Sequence, residues 1–165
     1  MATGYCHSLA LTDEGELYEW GGWQYYEDAE DTLQRVPHRI AELVGQQVKL
    51  VYAVESSSCA VTEHGELYSW SIEPDFTNHL GHGRAGEAQT RPARVEGLGG
   101  VTVAAAAMCH THTLVADEDG VVWGFGRGTA LGLDCDSTGP LYVKHPTPIP
   151  ALRVRVRKSP PVARL

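Results

Sequence analysis

Leu9-Ala10-Leu11-Thr12-Asp13-Glu14-Gly15-Glu16-Leu17-Tyr18-Glu19-Trp20 is the stretch on which the fold turns. An apolar run enters an acidic turn ending on glycine, and an aromatic run leaves it. The same order recurs in Cys59–Trp70 and Leu114–Phe125. The turn glycines Gly15, Gly65 and Gly120 stand 50 and then 55 residues apart. A second marker keeps step: Pro37-x-x-Ile40-x-x-Leu43, Pro92-x-x-Val95-x-x-Leu98 and Pro146-x-x-Ile149-x-x-Leu152. Two markers repeating together at a period of about 50 describe an array of supersecondary units, each too small to bury its own core.

Within a unit, Leu9-Ala10-Leu11, Cys59-Ala60-Val61 and Leu114-Val115-Ala116 are apolar enough to be strands buried on both faces. The glycine that closes each turn supplies the positive φ of a short hairpin loop, and the acids keep its tip wet. The return strands Glu16–Trp20, Glu66–Trp70 and Val121–Phe125 alternate as half-buried strands do. Trp20, Trp70 and Trp123 read as one repeat position that packs between strands. Each proline fixes the backbone into an outer segment whose two apolar residues plug back into the unit. A short strand then leads onward, at 47–53, at 101–105 and at 153–157. The expected organisation is all-β: units at 2–46, 47–100 and 101–157, with a basic, proline-bearing tail at 158–165.

Composition admits a packed domain: 42% of residues are hydrophobic and 21% charged, which is not a disordered composition. The apolar run Val101–Met108 is strand length, far short of the roughly 20 residues of a membrane helix, so no membrane partner is expected. Met1–His7 has neither a basic nor a greasy segment, so a cytoplasmic or nuclear setting is expected. Cys6, Cys59, Cys109 and Cys135 fall at four different repeat positions with no C-x-x-C pair, which favours free thiols over a disulfide ladder. The net charge of −8 is uneven. Residues 1–35 hold Asp13, Glu14, Glu16, Glu19, Glu27, Asp28, Glu30 and Asp31 against Arg35, while the end carries Arg153, Arg155, Arg157, Lys158 and Arg164.

Gly4-Tyr5-Cys6-His7-Ser8-Leu9-Ala10-Leu11 through Trp20-Gly21, with His112-Thr113-Leu114, Trp123-Gly124 and Leu131-Gly132 later, resembles the regulator of chromosome condensation repeat family. The second unit departs from the pattern, with Ser57 in the histidine place and Ser71 in the place of glycine. The resemblance covers about residues 2–157. It implies an incomplete β-propeller arc of about three four-stranded antiparallel blades, where the family fold has about seven. Such an arc is expected to be a fragment, to self-associate, or to be completed by another chain that supplies the missing blades.

His7 and His112 share a repeat position, and a structural duty there is the expectation: hydrogen bonding of backbone or of the next blade from a mostly buried ring. His79 with His82, and Cys109 with His110 and His112, have no familiar zinc spacing, so no metal is expected. No phosphate loop, nucleophile elbow or carboxylate pair is present, and neither catalytic residues nor a cofactor are expected. The divergent loop with Trp23, Tyr25, Tyr26, Glu27 and Asp28 has the aromatic anchors and charged rim of a protein-binding surface. The leading reading is a non-enzymatic protein-interaction module working through blade loops. The alternatives are guanine nucleotide exchange on a small GTPase, as the resemblance implies, and chromatin binding through the basic end. Direct nucleic-acid binding is disfavoured by the acidic balance.

Overall fold

The computed structural model of the chain describes residues 1–22, 34–73, 78–83, 89–133 and 141–155. These residues form three four-stranded antiparallel sheets, one after another along the chain. The first holds β1 (Ala2–Thr3), β2 (His7–Leu11), β3 (Leu17–Gly21) and β4 (Gln34–Arg39). The second holds β5 (Val48–Val54), β6 (Ser57–Thr62), β7 (Leu67–Ser71) and β8 (Ala93–Arg94). The third holds β9 (Val103–Met108), β10 (His112–Asp117), β11 (Val121–Arg127) and β12 (Tyr142–Arg153). Strands follow chain order within each sheet, and the first strands β1, β5 and β9 lie side by side. The sheets are therefore propeller blades, with those strands innermost and β4, β8 and β12 outermost.

The hairpin between the second and third strands repeats the same glycine conformation in all three blades. Gly15, Gly65 and Gly120 have φ of 78, 77 and 80°, a conformation that side-chain-bearing residues rarely adopt. Thr12 and Thr62 accept the backbone N–H of Glu16 and Glu66 on Oγ1, each at 3.2 Å. Asp117 accepts that of Val121 at 2.9 Å. The glycine carbonyls then accept Val48 N–H at 3.1 Å, Val103 N–H at 2.9 Å and Val154 N–H at 2.9 Å, which pins each tip to the stretch that follows its blade.

The cores lie between blades, not within them. Leu9, Leu17, Ile40 and Leu43 of the first blade pack against Val48, Ala60 and Trp70 of the second. Cys59, Val61, Leu67, Val95 and Leu98 of the second pack against Val103, Ala106, Val115 and Phe125 of the third. The two-residue period of a strand sends alternate side chains to opposite neighbours. Thus His7 and Leu9 are buried in β2, Thr113, Val115 and Asp117 in β10, and every residue of β6. The expectation that all three second strands are buried on both faces holds for β6 alone, because that blade has a neighbour on each side.

Two further expectations are corrected. Trp123 does not share the position of Trp20 and Trp70. The register pairs Ser8 with Trp20, Ser58 with Trp70 and Thr113 with Phe125, while Trp123 faces Val115 as Tyr18 faces Ala10. Phe125 is the buried equivalent of Trp70, and both are 0% exposed. The third proline-linked pair is also less covered than the other two: Ile149 packs over Gly124 of its own blade but is only half-buried and Leu152 is 44% exposed, whereas Ile40, Leu43, Val95 and Leu98 are buried. Those four pack toward the following blade, and among the described residues no sheet follows the third.

Candidate interaction face

The turns joining inner to second strands lie at the end of the blades opposite the glycine hairpins. In the first and third blades they are Gly4-Tyr5-Cys6 and Cys109-His110-Thr111, closed by Gly4 N–H to His7 O at 2.9 Å and Cys109 N–H to His112 O at 3.0 Å. In the second blade the turn is Glu55-Ser56. The longer connections leave from the same end, each tied to its turn at 2.8 Å: Gly22 N–H to Cys6 O, Ile72 N–H to Ser56 O and Arg127 N–H to Thr111 O. One face therefore collects the tips of all three blades and the points at Gly22, Ile72 and Arg127 where the longer connections depart.

The tips are joined across blades. Tyr5 N–H donates to the Glu55 carbonyl at 2.7 Å, and Glu55 Oε2 meets His110 Nδ1 at 2.5 Å. The row Tyr5, Glu55, His110 is open to solvent: Tyr5 is 77% exposed, and the side chains of Glu55 and His110 are 52% and 47% exposed. Glu55 itself takes a φ of 48°, rare for a residue with a side chain, to make this tip.

Beneath the row lies a layer of buried polar contacts. His7 Nε2 sits 2.6 Å from Ser58 Oγ of the next blade. Its ring is buried, which lowers its basicity, partly countered by the Glu55 backbone. Gly4 is needed beside it, since a Cβ there would run into the His7 ring and the Glu55 carbonyl. In the second blade Ser57 occupies the histidine position, and a histidine arrives from elsewhere: His79 Nε2 lies 2.9 Å from Ser57 Oγ. The His79 carbonyl accepts Thr113 Oγ1–H of the third blade at 2.8 Å. Burial, with His110 and His112 nearby, pushes the His79 pKa down to about 4. Ser69 Oγ–H donates to Leu80 O at 2.6 Å and lies 2.9 Å from His82 Nε2, which fixes the rest of that loop.

Of the residues singled out in the sequence, His7 lies in this layer and bonds the next blade. His112 is only half-buried, against expectation, and its Nδ1 turns to Cys109 Sγ at 3.0 Å and Thr111 Oγ1 at 3.2 Å within its own turn. Gly15, Gly65 and Gly120 sit at the opposite end. Pro37 and Pro146 lie in outer strands and Pro92 just before one, with Pro37 exposed and Pro146 buried. Trp20 is half-buried, and Trp70 donates its indole N–H to Glu19 Oε1 at 2.9 Å. Trp123 donates to Asp117 Oδ2 at 2.9 Å. Trp23, Tyr25, Tyr26, Glu27 and Asp28 lie outside the described residues. Sequence reasoning weighed His79, and Cys109 with His110 and His112, only as metal ligands, and missed the His79–Ser57 contact, the Glu55–His110 pair and the Cys109–His112 contact. Ser57 at a histidine position was the one available signal for the first.

No helix among the described residues is long and apolar enough to cross a membrane. No family model matches the chain. Among curated proteins it is 32% identical over 157 residues to the human E3 ubiquitin-protein ligase HERC2, across 93% of this chain and 3% of that protein. It is 37% identical over 100 residues to the Arabidopsis thaliana mitochondrial RCC1 domain-containing protein RUG3, across 59% of this chain and 22% of that one. The chain thus spans a small part of the relatives it matches. The structure of Prp20p from Saccharomyces cerevisiae, the yeast RCC1, superposes with a TM-score of 0.69 at 21% identity, over 89% of this chain and 37% of that chain. That likeness shows the propeller fold. The identity to HERC2 across 93% of the chain, together with that to the RCC1 domain-containing RUG3, shows that the chain belongs to the regulator of chromosome condensation repeat family.

Proposed function

We propose that this chain is a non-enzymatic protein-interaction module whose contact face is the end of the blades bearing Tyr5, Glu55 and His110. The observation that carries the reading is the solvent-open row those residues make across three blades, fixed by Tyr5 N–H to Glu55 O and by the Glu55–His110 pair. A rigid frame that holds varied side chains in register suits docking of another protein. The segment with Trp23, Tyr25, Tyr26, Glu27 and Asp28 departs at Gly22, beside Cys6 on this same face, and is proposed to extend the contact. The test is quantitative affinity capture with matched variants. Tyr5→Ala and Glu55→Lys should lose a partner that the wild type and Glu118→Lys, altered at the opposite end, both retain. Equal loss with Glu118→Lys, or no loss with any variant, would overturn the assignment of the face.

A second reading is regulation of a small GTPase, favoured by the fold shared with Prp20p, whose structure was reported together with its binding to Gsp1p and histones. Release of a fluorescent guanine nucleotide from a panel of small GTPases decides it. Acceleration by sub-stoichiometric amounts of this chain would establish exchange, and unchanged release across the panel removes that reading. Chromatin is the third partner class, and the −8 net charge points there to basic histones over DNA.

A further inference from the structure

The turns Gly4-Tyr5-Cys6-His7 and Cys109-His110-Thr111-His112 are the same turn in two blades, closed by the same hydrogen bond. They differ at the first residue. In the first blade it is glycine, and a Cβ at that place would contact the His7 ring. In the third blade a side chain is present there, and it is a thiol. The histidine ring has taken a different position: where His7 Nε2 reaches Ser58 of the next blade, His112 Nδ1 lies 3.0 Å from Cys109 Sγ. Thr111 Oγ1 lies 3.6 Å from the same sulfur, and the backbone N–H groups of Thr111 and His112 point at it. A thiol in hydrogen-bond reach of an imidazole, with further donors to take up the sulfur's charge, is the arrangement of an activated nucleophile.

We infer that Cys109 is a site of reversible thiol modification, reacting with small-molecule disulfides through a Cys109–His112 pair. The Cys109 S–H gives its proton to His112 Nδ1, and the thiolate is held by Nδ1–H and the Thr111 and His112 donors. The thiolate attacks one sulfur of the disulfide. A new S–S bond joins Cys109 to that sulfur, the original S–S bond breaks, and the departing thiolate takes the proton from His112. The reaction consumes one disulfide and yields one mixed disulfide and one free thiol.

The environments of the other described thiols set the contrast. Burial pushes Cys59 up to about 12, and it is wholly enclosed. Cys6 is raised by burial and by Glu73. At Cys109 burial and the charge of Glu55 act upward, but the backbone and hydroxyl donors of Thr111 and the backbone N–H of His112 outweigh them and leave the thiol below its ordinary value.

The experiment is timed reaction of the full chain with oxidised glutathione, with each cysteine followed by peptide mass mapping. At pH 7 Cys109 should react about tenfold faster than Cys6, and Cys59 should stay unmodified until the chain is unfolded. In urea the cysteines should react at similar rates. His112→Asn should slow Cys109 at pH 7 and move its rate–pH profile upward. Thr111→Val should do the same to a smaller degree, and it keeps the test decisive where His112→Asn fails to fold. A native Cys109 that reacts no faster than Cys6, or whose pH profile is the same folded and in urea, would overturn the inference.

Discussion

Trp70 of the second blade donates its indole N–H to Glu19 Oε1 of the first at 2.9 Å, so the ring that fills the space between two blades also ties them together through a carboxylate. Burial raises the Glu19 pKa, opposed by the indole bond and by His38. Trp70→Phe keeps most of the packing and removes the donor, and leaves a half-buried carboxylate without its indole partner. The expected loss is about 1–3 kcal/mol. Trp70→Ala adds a cavity and is expected to lose about 3–5 kcal/mol. Denaturant titration of both variants checks the order.

His79 makes stability depend on pH. Its ordinary pKa of 6.5 is pushed down to about 4 in the folded chain, so between these values the unfolded chain binds the extra proton. Stability from the neutral ring is complete above about pH 6.5 and is lost as pH falls toward 4, by up to about 3 kcal/mol. His7, shifted in the same direction, adds to the slope. Denaturation midpoints at pH 7 and pH 4.5 should differ less in His79→Gln than in wild type. Equal differences would show that the buried ring does not drive the effect.

Two glycines separate backbone strain from crowding. Gly45 has φ of 84° with nothing within 4 Å of an added Cβ, whereas a Cβ on Gly65, at φ 77°, would lie 2.9 Å from Thr102 Cα and Val103 N. Gly45→Ala should cost about 1–2 kcal/mol, the strain alone. Gly65→Ala should cost clearly more, because Val103 N–H bonds the Gly65 carbonyl and the next blade would have to move. Thermal unfolding of the two variants side by side is the measurement.

Asp117 serves two donors, Val121 N–H at 2.9 Å through Oδ1 and Trp123 Nε1 at 2.9 Å through Oδ2. The other blades use threonine here and bond only the turn. Asp117→Thr should therefore preserve the turn and lose about 1 kcal/mol, and Asp117→Ala should lose about 2–3 kcal/mol. Near-ultraviolet circular dichroism should report the freed indole in both variants.

The blade pattern was legible because its punctuation is local. Gly15, Gly65 and Gly120 are fixed by a hairpin that needs positive φ, and no distant residue changes that need. Counting five residues on from each glycine reaches Trp20, Trp70 and Phe125. Matching by residue type instead drew Trp123 into the wrong place, since an indole at the Tyr18 and Tyr68 position looks like the missing tryptophan. The burial of the proline-linked pairs was less legible. Ile40 and Ile149 are alike in sequence, but among the described residues only Ile40 has a following blade to cover it. The polar layer of the candidate face was hardest, because His79 meets Ser57 across 22 residues and Glu55 meets His110 across two blades. Neither pairing has a period or a motif to betray it.

A core laid between sheets gives the middle blade a double bond of dependence. Alternate positions along β6 report to different neighbours: Ala60 answers to the first sheet, Cys59 and Val61 to the third. Shortening Ala60 or Val61 therefore loosens one seam and spares the other, while any change that distorts β6 itself opens both. Hydrogen exchange should follow that geography, with slowest exchange in β6 and fraying from the two flanking sheets inward, as for coupled units in a row.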